Sequence, residues 1–428
     1  MNEMRRRFEV LVVGAGPAGI AAACCAAQSG ARVGLLDNNP RPGGQIWRGG
    51  GDQAAAAEAR RWIERLESSA AEILPSIEAF DSPMSNCLLA QSSHGESELH
   101  FERLILCTGA RERYLPFPGW TLPNVIGAGG LQALVKSGLD IAGKKIAVAG
   151  TGPLLLAVAA YLREHGGDIR VVAEQAPWSR MIRFGFNLAT HRQKIAQAFQ
   201  IRRQLAGVPF RAGCWPIAAE GNGRVESITL RRGNKTWKEP CDFLACGFHL
   251  VPNTELAALL GCELRAGFIR TDDLQETSRR GIFCAGEPTG IGGAELSLVE
   301  GQIAGFAAAG EVQQARKFFK ERDQLRNFSL ALSRAFALRS ELASLPTAET
   351  IICRCEDVPV GRLRGHSSWR EAKLHTRCGM GPCQGRICGP ATEFLLGWKM
   401  ESVRPPIFPV PVESLTSGSE RERETVNL

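Results

Sequence analysis

Aromatic residues make up only 7% of the chain, with two tyrosines, and no stretch reaches ~18 uninterrupted apolar residues. A membrane-spanning helix is therefore excluded by pattern. No CxxC dithiol occurs, so the usual spacing of a disulfide reductant is missing. Acid–base machinery is also lacking, because His94, His100, His165, His191, His249, His366 and His375 are scattered and none forms a constellation with a carboxylate in sequence. No catalytic residue is assigned. Lys and Arg number 51 against 44 Asp and Glu, and this excess of +7 reads as spread along the chain without a long basic run carrying interleaved aromatics. Nucleic acid is a poor partner on that count.

What remains is an ordinary soluble composition, 44% hydrophobic and 22% charged, with 47 glycines in 428 residues. It reads as α/β and leaves room for about three domains. Fourteen cysteines at irregular spacing make a poor disulfide ladder, which points to a reducing cytoplasm, with peripheral attachment to the inner membrane as the second option. The start MNEMRRRF before an apolar stretch mimics a secretory leader. Its glycine spacing decides against that reading.

Phe8–Val13 is a β-rich run, Pro17 opens an alanine-rich helix, and the strand Arg32–Leu36 ends at Asp37. Between strand and helix stands VGAGPAG. Gly14 permits the tight turn, Gly16 lets backbone N–H groups approach a pyrophosphate, and Gly19 lets the helix sit close on the strand, with Ala15, Pro17 and Ala18 completing the loop. Asp37, followed by Asn38, is placed to accept a ribose hydroxyl. Strand, glycine loop, helix, strand and acid in this order specify a dinucleotide site. RPGGQIW follows, where Gly43 and Gly44, with Gln45, would allow contact with a flavin's phosphate or ring edge. Late in the chain, Gly286 and Glu287 follow another short strand, where an acid suits a ribityl chain.

The same grammar returns at Lys145–Ala149 and GTGPLLLAVAAYLREHGG, with a strand from Ile169 ending at Glu174. Here Leu155 replaces the third glycine. A branched side chain there disturbs a phosphate seat, leaving either a relaxed NAD(P) site or an inherited fold that no longer binds NAD(P). The steric argument favours the second. Cys24 and Cys25 are neighbours about 100° apart on a helix and read as packing residues, as do Cys107, Cys246 and Cys284.

Residues 311–349 lack glycine and read as a helical connector. Beyond them CRCEDV and TRCGMGPCQGRICGP bring five cysteines into 36 residues. Cys353, Cys355, Cys378 and Cys383 are the candidate ligands of a [2Fe-2S] cluster, with Cys388 as a spare. Zinc is the rival, although CxC followed by Cx4C departs from zinc knuckles.

VGAGPAG, CTGA at Cys107–Ala110 and CAGE at Cys284–Glu287 resemble flavoproteins with two dinucleotide-binding domains, of the glutathione-reductase and ferredoxin-reductase type. That resemblance implies FAD in the first site, with Thr108, Gly109 and Ala110 beside it. Glu287 is a departure, since many members have Asp there. The cysteine segment resembles a bacterioferritin-associated-ferredoxin-type [2Fe-2S] module, with a short loop between its cysteine pairs. Together with RPGGQIW and CAGEPTGIGGAELSLVEGQIAG, the motifs resemble the larger FAD/[2Fe-2S] subunit of heteromeric dye-linked dehydrogenases: opine oxidases, hydroxyproline and proline dehydrogenases, and hydrogen cyanide synthase.

The resemblance implies, as partner, a β subunit of the D-amino-acid-oxidase or sarcosine-oxidase type. An additional small subunit, an FMN at a subunit contact and a quinone or dye as electron acceptor fit the same group. The expected domains are an FAD domain at 1–115 and 245–310, a second Rossmann-like domain at 116–244, the connector at 311–349, the [2Fe-2S] domain at 350–400 and an extended tail at 401–428. An NAD(P)H-dependent reductase feeding its own cluster, and a non-enzymatic iron–sulfur sensor or scaffold, are the alternative functions.

Overall fold

The computed structural model describes residues 4–47, 53–93, 95–188, 192–400 and 402–415. His94, His191 and the tail beyond residue 415 lie outside the described residues. The chain divides into two compact units, one formed by 1–110, 252–327 and 402–428, the other by 111–251 and 328–401.

In the first unit, β1 (Met4–Val13) runs into α1 (Pro17–Gln28) and returns as β2 (Val33–Asp37). β3 (Glu72–Pro75), β4 (Ile77–Met84), β5 (Cys87–Ser92) and β6 (Gly95–Leu106) complete a sheet of order β3-β2-β1-β6-β5-β4. β6 changes partners along its length. Its first half pairs antiparallel with β5, and its last three residues pair parallel with the strand Ile282–Cys284. Helix Gly293–Ala308 packs on α1, where Cβ atoms at Gly301 and Gly305 would fall 2.2 and 2.3 Å from the carbonyl oxygens of Ala18 and Ala22. Only glycine allows that approach.

The tail returns to this unit. Ile407 is buried against Leu88, Leu99 and Leu104, and its N–H donates to Phe80 at 2.8 Å.

The second unit has β7 (Val125–Gly127), β8 (Lys145–Thr151), α2 (Pro153–Glu164), β9 (Asp168–Glu174), α3 (Trp178–Leu188), α4 (Arg192–Gln204), β10 (Phe210–Ala212) and β11 (Phe243–Phe248). Its parallel sheet has the order β10-β9-β8-β11-β7. The cysteine-rich segment belongs to this unit: Trp120 Nε1 donates to the Ile351 carbonyl at 2.6 Å, Arg111 Nε donates to that of Arg386 at 3.1 Å, and Ile387 and Phe394 join the core around Trp120, Trp215 and Phe248. Among the described residues no helix is long and apolar enough to cross a membrane.

Candidate functional site

The first glycine loop adopts the conformation its composition requires. Gly14 has φ +104°, and a Cβ there would stand 2.2 Å from the Cys107 carbonyl oxygen; at Gly19 it would stand 1.7 Å from the Gly14 oxygen. Gly16 is different. Its φ is −76°, and a Cβ would meet nothing within 4 Å, so open space lies over the N-terminus of α1, which no side chain caps. That space is where a pyrophosphate fits.

Asp37 is clamped at the end of β2 by the N–H groups of Ala15 (2.5 Å) and Asn39 (2.7 Å). Gly43 and Gly44, both at positive φ, fold the next loop back: Gly43 N–H donates to the Ala15 carbonyl, and a Cβ on Gly44 would lie 2.9 Å from the Gly16 Cα. Thr108 donates through Oγ1 to the Asn253 carbonyl at 2.6 Å, and Asn253 Nδ2 donates back to the Thr108 carbonyl at 2.8 Å, so the Thr108–Gly109 turn is fixed in both directions.

Glu287 supplies the fit test for a flavin. Its Oε1 accepts from Gly293 N–H at 2.8 Å, while its buried Oε2 has no partner. A buried acceptor is normally satisfied. A ribityl hydroxyl fits this position, and the longer side chain of Glu does not spoil it. Sequence reasoning missed the group that holds this loop. Glu300, fully buried, accepts from Gly286 N–H (2.9 Å) and Thr289 Oγ1 (2.7 Å) through one oxygen and from Arg326 through the other.

In the second unit Gly150 and Gly152 keep positive φ, and Leu155 is buried in the core, above Gly247. One N–H of the loop, that of Gly152, is already used. Glu174 accepts from Gly152 N–H at 2.7 Å, Ala176 N–H at 2.7 Å and Thr151 Oγ1 at 2.8 Å. Gln175 ties the same place to Phe336 and Ala337 and accepts from Arg339 N–H at 3.1 Å. The connector leaves its helix at Phe336–Arg339 and crosses here. Glu174 thus takes the Gly152 N–H, and the connector lies beside the loop, its Phe336 carbonyl accepting from Thr151 Oγ1 at 3.2 Å.

Burial raises both Glu174 and Glu287 from 4.5 to about 7, against the lowering effect of their backbone N–H partners. Each binds its proton more tightly folded than unfolded. Their contribution to stability is therefore full below about pH 4.5 and is lost as pH rises through about 7, by about 3 kcal/mol each. Urea denaturation of FAD-free protein is expected to show a lower midpoint at pH 8 than at pH 5, with a flatter dependence in Glu287→Gln.

The cysteines converge. The sulfur atoms of Cys353, Cys378 and Cys388 lie within 4.8 Å of one another, and the Cys355 thiol is hydrogen-bonded to Cys383. Cys353, Cys355, Cys383 and Cys388 line a cavity of about 130 Å³ with Tyr114, Trp120, Arg354 and Ile387. Hydrogen bonds from Cys378 and Cys388 lower the Cys353 thiol pKa from its ordinary range and raise those of its two partners. A Cβ at Gly381 would be 2.2 Å from that of Cys355, so the loop closes tightly. The donor set fits a thiolate-ligated cluster. The structure draws Cys388 closer to Cys353 and Cys378 than spacing alone suggests.

The other cysteines behave as packing residues: burial pushes Cys24 to about 11 and Cys25 to about 12, and Cys107, Cys246 and Cys284 are buried and raised. The described histidines are engaged elsewhere. His249 lies 2.7 Å from the Phe336 carbonyl, His366 stacks on His375, His165 stacks on Tyr161, and His100 contacts Glu98.

Residues 8–311 match the pyridine nucleotide-disulphide oxidoreductase family. The chain is 29% identical to the A-subunit of opine oxidase from Rhizobium meliloti, over 97% of its own length and 88% of that protein. It is 30% identical to hydrogen cyanide synthase subunit HcnB of Pseudomonas aeruginosa, over 96% and 99%. Among solved structures, L-proline dehydrogenase from P. horikoshii superposes with a TM-score of 0.71 at 20% identity, covering 97% of this chain and 80% of that one. T. acidophilum thioredoxin reductase gives 0.56 at 18% identity, over 72% and 99%. These two likenesses establish the fold.

Proposed function

The chain belongs to the pyridine nucleotide-disulphide oxidoreductase family and is an FAD-dependent oxidoreductase, and from that premise we propose that it is the electron-transferring subunit of a heteromeric dehydrogenase acting on the C–N bond of an amino or imino acid. D-Hydroxyproline, proline and opines are the substrate types. The observation that carries this reading is the convergence of five thiols in a chain whose second nucleotide loop carries Leu155 and is crossed by the connector. Such a chain has an outlet for electrons and no evident seat for NAD(P)H.

In the first unit the Gly14–Gly19 loop and the N-terminus of α1 receive the pyrophosphate, Asp37 with Asn38 takes the ribose, and Gly43, Gly44, Gln45, Thr108, Gly109 and Ala110 border the flavin. Glu287 accepts a ribityl hydroxyl through its free Oε2. FAD supplies a two-electron acceptor that can hand electrons on singly to an iron–sulfur centre. Cys353, Cys355, Cys378 and Cys383 hold that centre as [2Fe-2S]. Substrate is oxidised in a flavin-oxidase-like β subunit, and a quinone or dye takes the electrons in the end. A further small subunit, with FMN at a subunit contact, belongs to the same reading.

Anaerobic titration tests it. In the assembled complex the amino-acid substrate bleaches the flavin and produces a reduced-cluster signal in electron paramagnetic resonance, while NADH and NADPH leave the flavin oxidised over minutes. Prompt bleaching by either nucleotide would favour a self-sufficient reductase. Complex activity that survives Cys353→Ser with Cys355→Ser would favour a sensor or scaffold.

A further inference from the structure

The charge excess is not spread along the chain. Residues 175–219 contain Arg180, Arg183, Arg192, Lys194, Arg202, Arg203 and Arg211 and no Asp or Glu, so this stretch alone equals the net charge of +7 and the rest is balanced. It folds mainly as α3 and α4. The inner side of α3 is satisfied, since Met181 and Phe184 pack around Ala335 and Phe336. Its other side carries Ile182, 57% exposed, one turn after Trp178, whose half-exposed ring also packs edge-on against Phe210. On α4, Ile201 faces the core with Leu205, whereas Ile195 and Phe199 stand in solvent, Phe199 at 72% exposure. Arg183, Arg202 and Arg203 are exposed beside them.

Exposed Ile182 on one helix, and Ile195 and Phe199 at i, i+4 on the next, have no folding rationale. The composition identifies the occupant: six arginines to one lysine, with aromatics and no acids, is the enrichment of protein–protein interfaces, where Arg and aromatics rise and Lys, Asp and Glu fall. A lipid surface would use lysine as readily.

We propose that the α3–α4 pair is the docking surface for the partner subunit, which presents an apolar centre with an acidic rim. This rests on the heteromer reading above. Attraction between the arginines and that rim steers the encounter, and Trp178, Ile182 and Phe199 supply the anchors.

The test is co-expression of the tagged chain with the proposed flavin-oxidase-like subunit, comparing the unsubstituted chain with Ile182→Glu and Phe199→Glu. Recovery of the partner is expected to fall at least about tenfold in each variant, while FAD absorbance per chain is unchanged because both side chains lie outside the core. Partner recovery equal to the unsubstituted chain would overturn the docking surface while leaving the heteromer intact. If the unsubstituted chain purifies alone, the heteromer reading itself falls, and the docking proposal with it. A sedimentation arm uses phosphatidylglycerol vesicles: binding that Phe199→Glu abolishes, with partner recovery retained, would reassign the surface to lipid and overturn the proposal.

Discussion

Serine at Cys353 or Cys378 is expected to lower the iron content of the purified chain about tenfold or more and to remove its brown absorbance, while FAD stays bound in the other compact unit. Both thiols belong to the proposed ligand set, and they lie within 4.8 Å of each other. The fourth ligand separates the sets. Cys388 is buried at the start of helix Cys388–Leu396, whereas Cys383 is paired with Cys355 across the cavity. With Cys353, Cys355, Cys378 and Cys383 as the proposed ligands, Cys383→Ser should lose iron and Cys388→Ser keep most of it; iron loss in Cys388→Ser alone would move the fourth bond to that residue, which lies beside Cys353 and Cys378. Metal analysis with electron paramagnetic resonance checks the assignment, and a colourless zinc-loaded chain would replace the cluster altogether.

Two glycines three residues apart are expected to fail in different ways. In Gly19→Ala the added methyl meets the Gly14 carbonyl oxygen at 1.7 Å, backbone against backbone, so helix and strand must separate at a cost of about 3 kcal/mol or more. Loss of soluble, FAD-loaded protein should follow. In Gly16→Ala the methyl meets no protein atom and the backbone is one that alanine adopts. The FAD-free variant should melt within a degree or two of the parent, yet bind FAD at least about tenfold more weakly, because its methyl intrudes on the phosphate space. Calorimetry of the apoproteins and FAD titration distinguish the pair; equal FAD affinity in Gly16→Ala would remove the pyrophosphate from this loop.

The parts of the site legible in the sequence are those written in short-range chemistry. VGAGPAG and Asp37 announce a strand, turn, helix and strand, and the fold places them so, because these elements follow one another directly along the chain, although the contact that requires Gly14 is with distant Cys107. The cysteine spacing is legible for the same reason. Glu300 is invisible there: it is one of two acids in a mostly apolar helix, and its value comes from Gly286, Thr289 and Arg326, up to 26 residues away. The covering of the second glycine loop is equally hidden. Leu155 hints at a disturbed seat, but the groups packed around it, Glu174 and Phe336–Arg339, are tertiary partners. The division of charge is readable by counting, yet it escapes a search for basic runs because none is long.

The four residues that leave their helix at Phe336 to lie over the second glycine loop also anchor what comes after them. With Trp120 holding Ile351 and Arg111 holding Arg386, the cysteine-rich segment has no slack on which to swing like a lipoyl or biotinyl arm. It travels with the second compact unit as cargo bolted to a deck, so any redox group it carries moves only when that whole body moves.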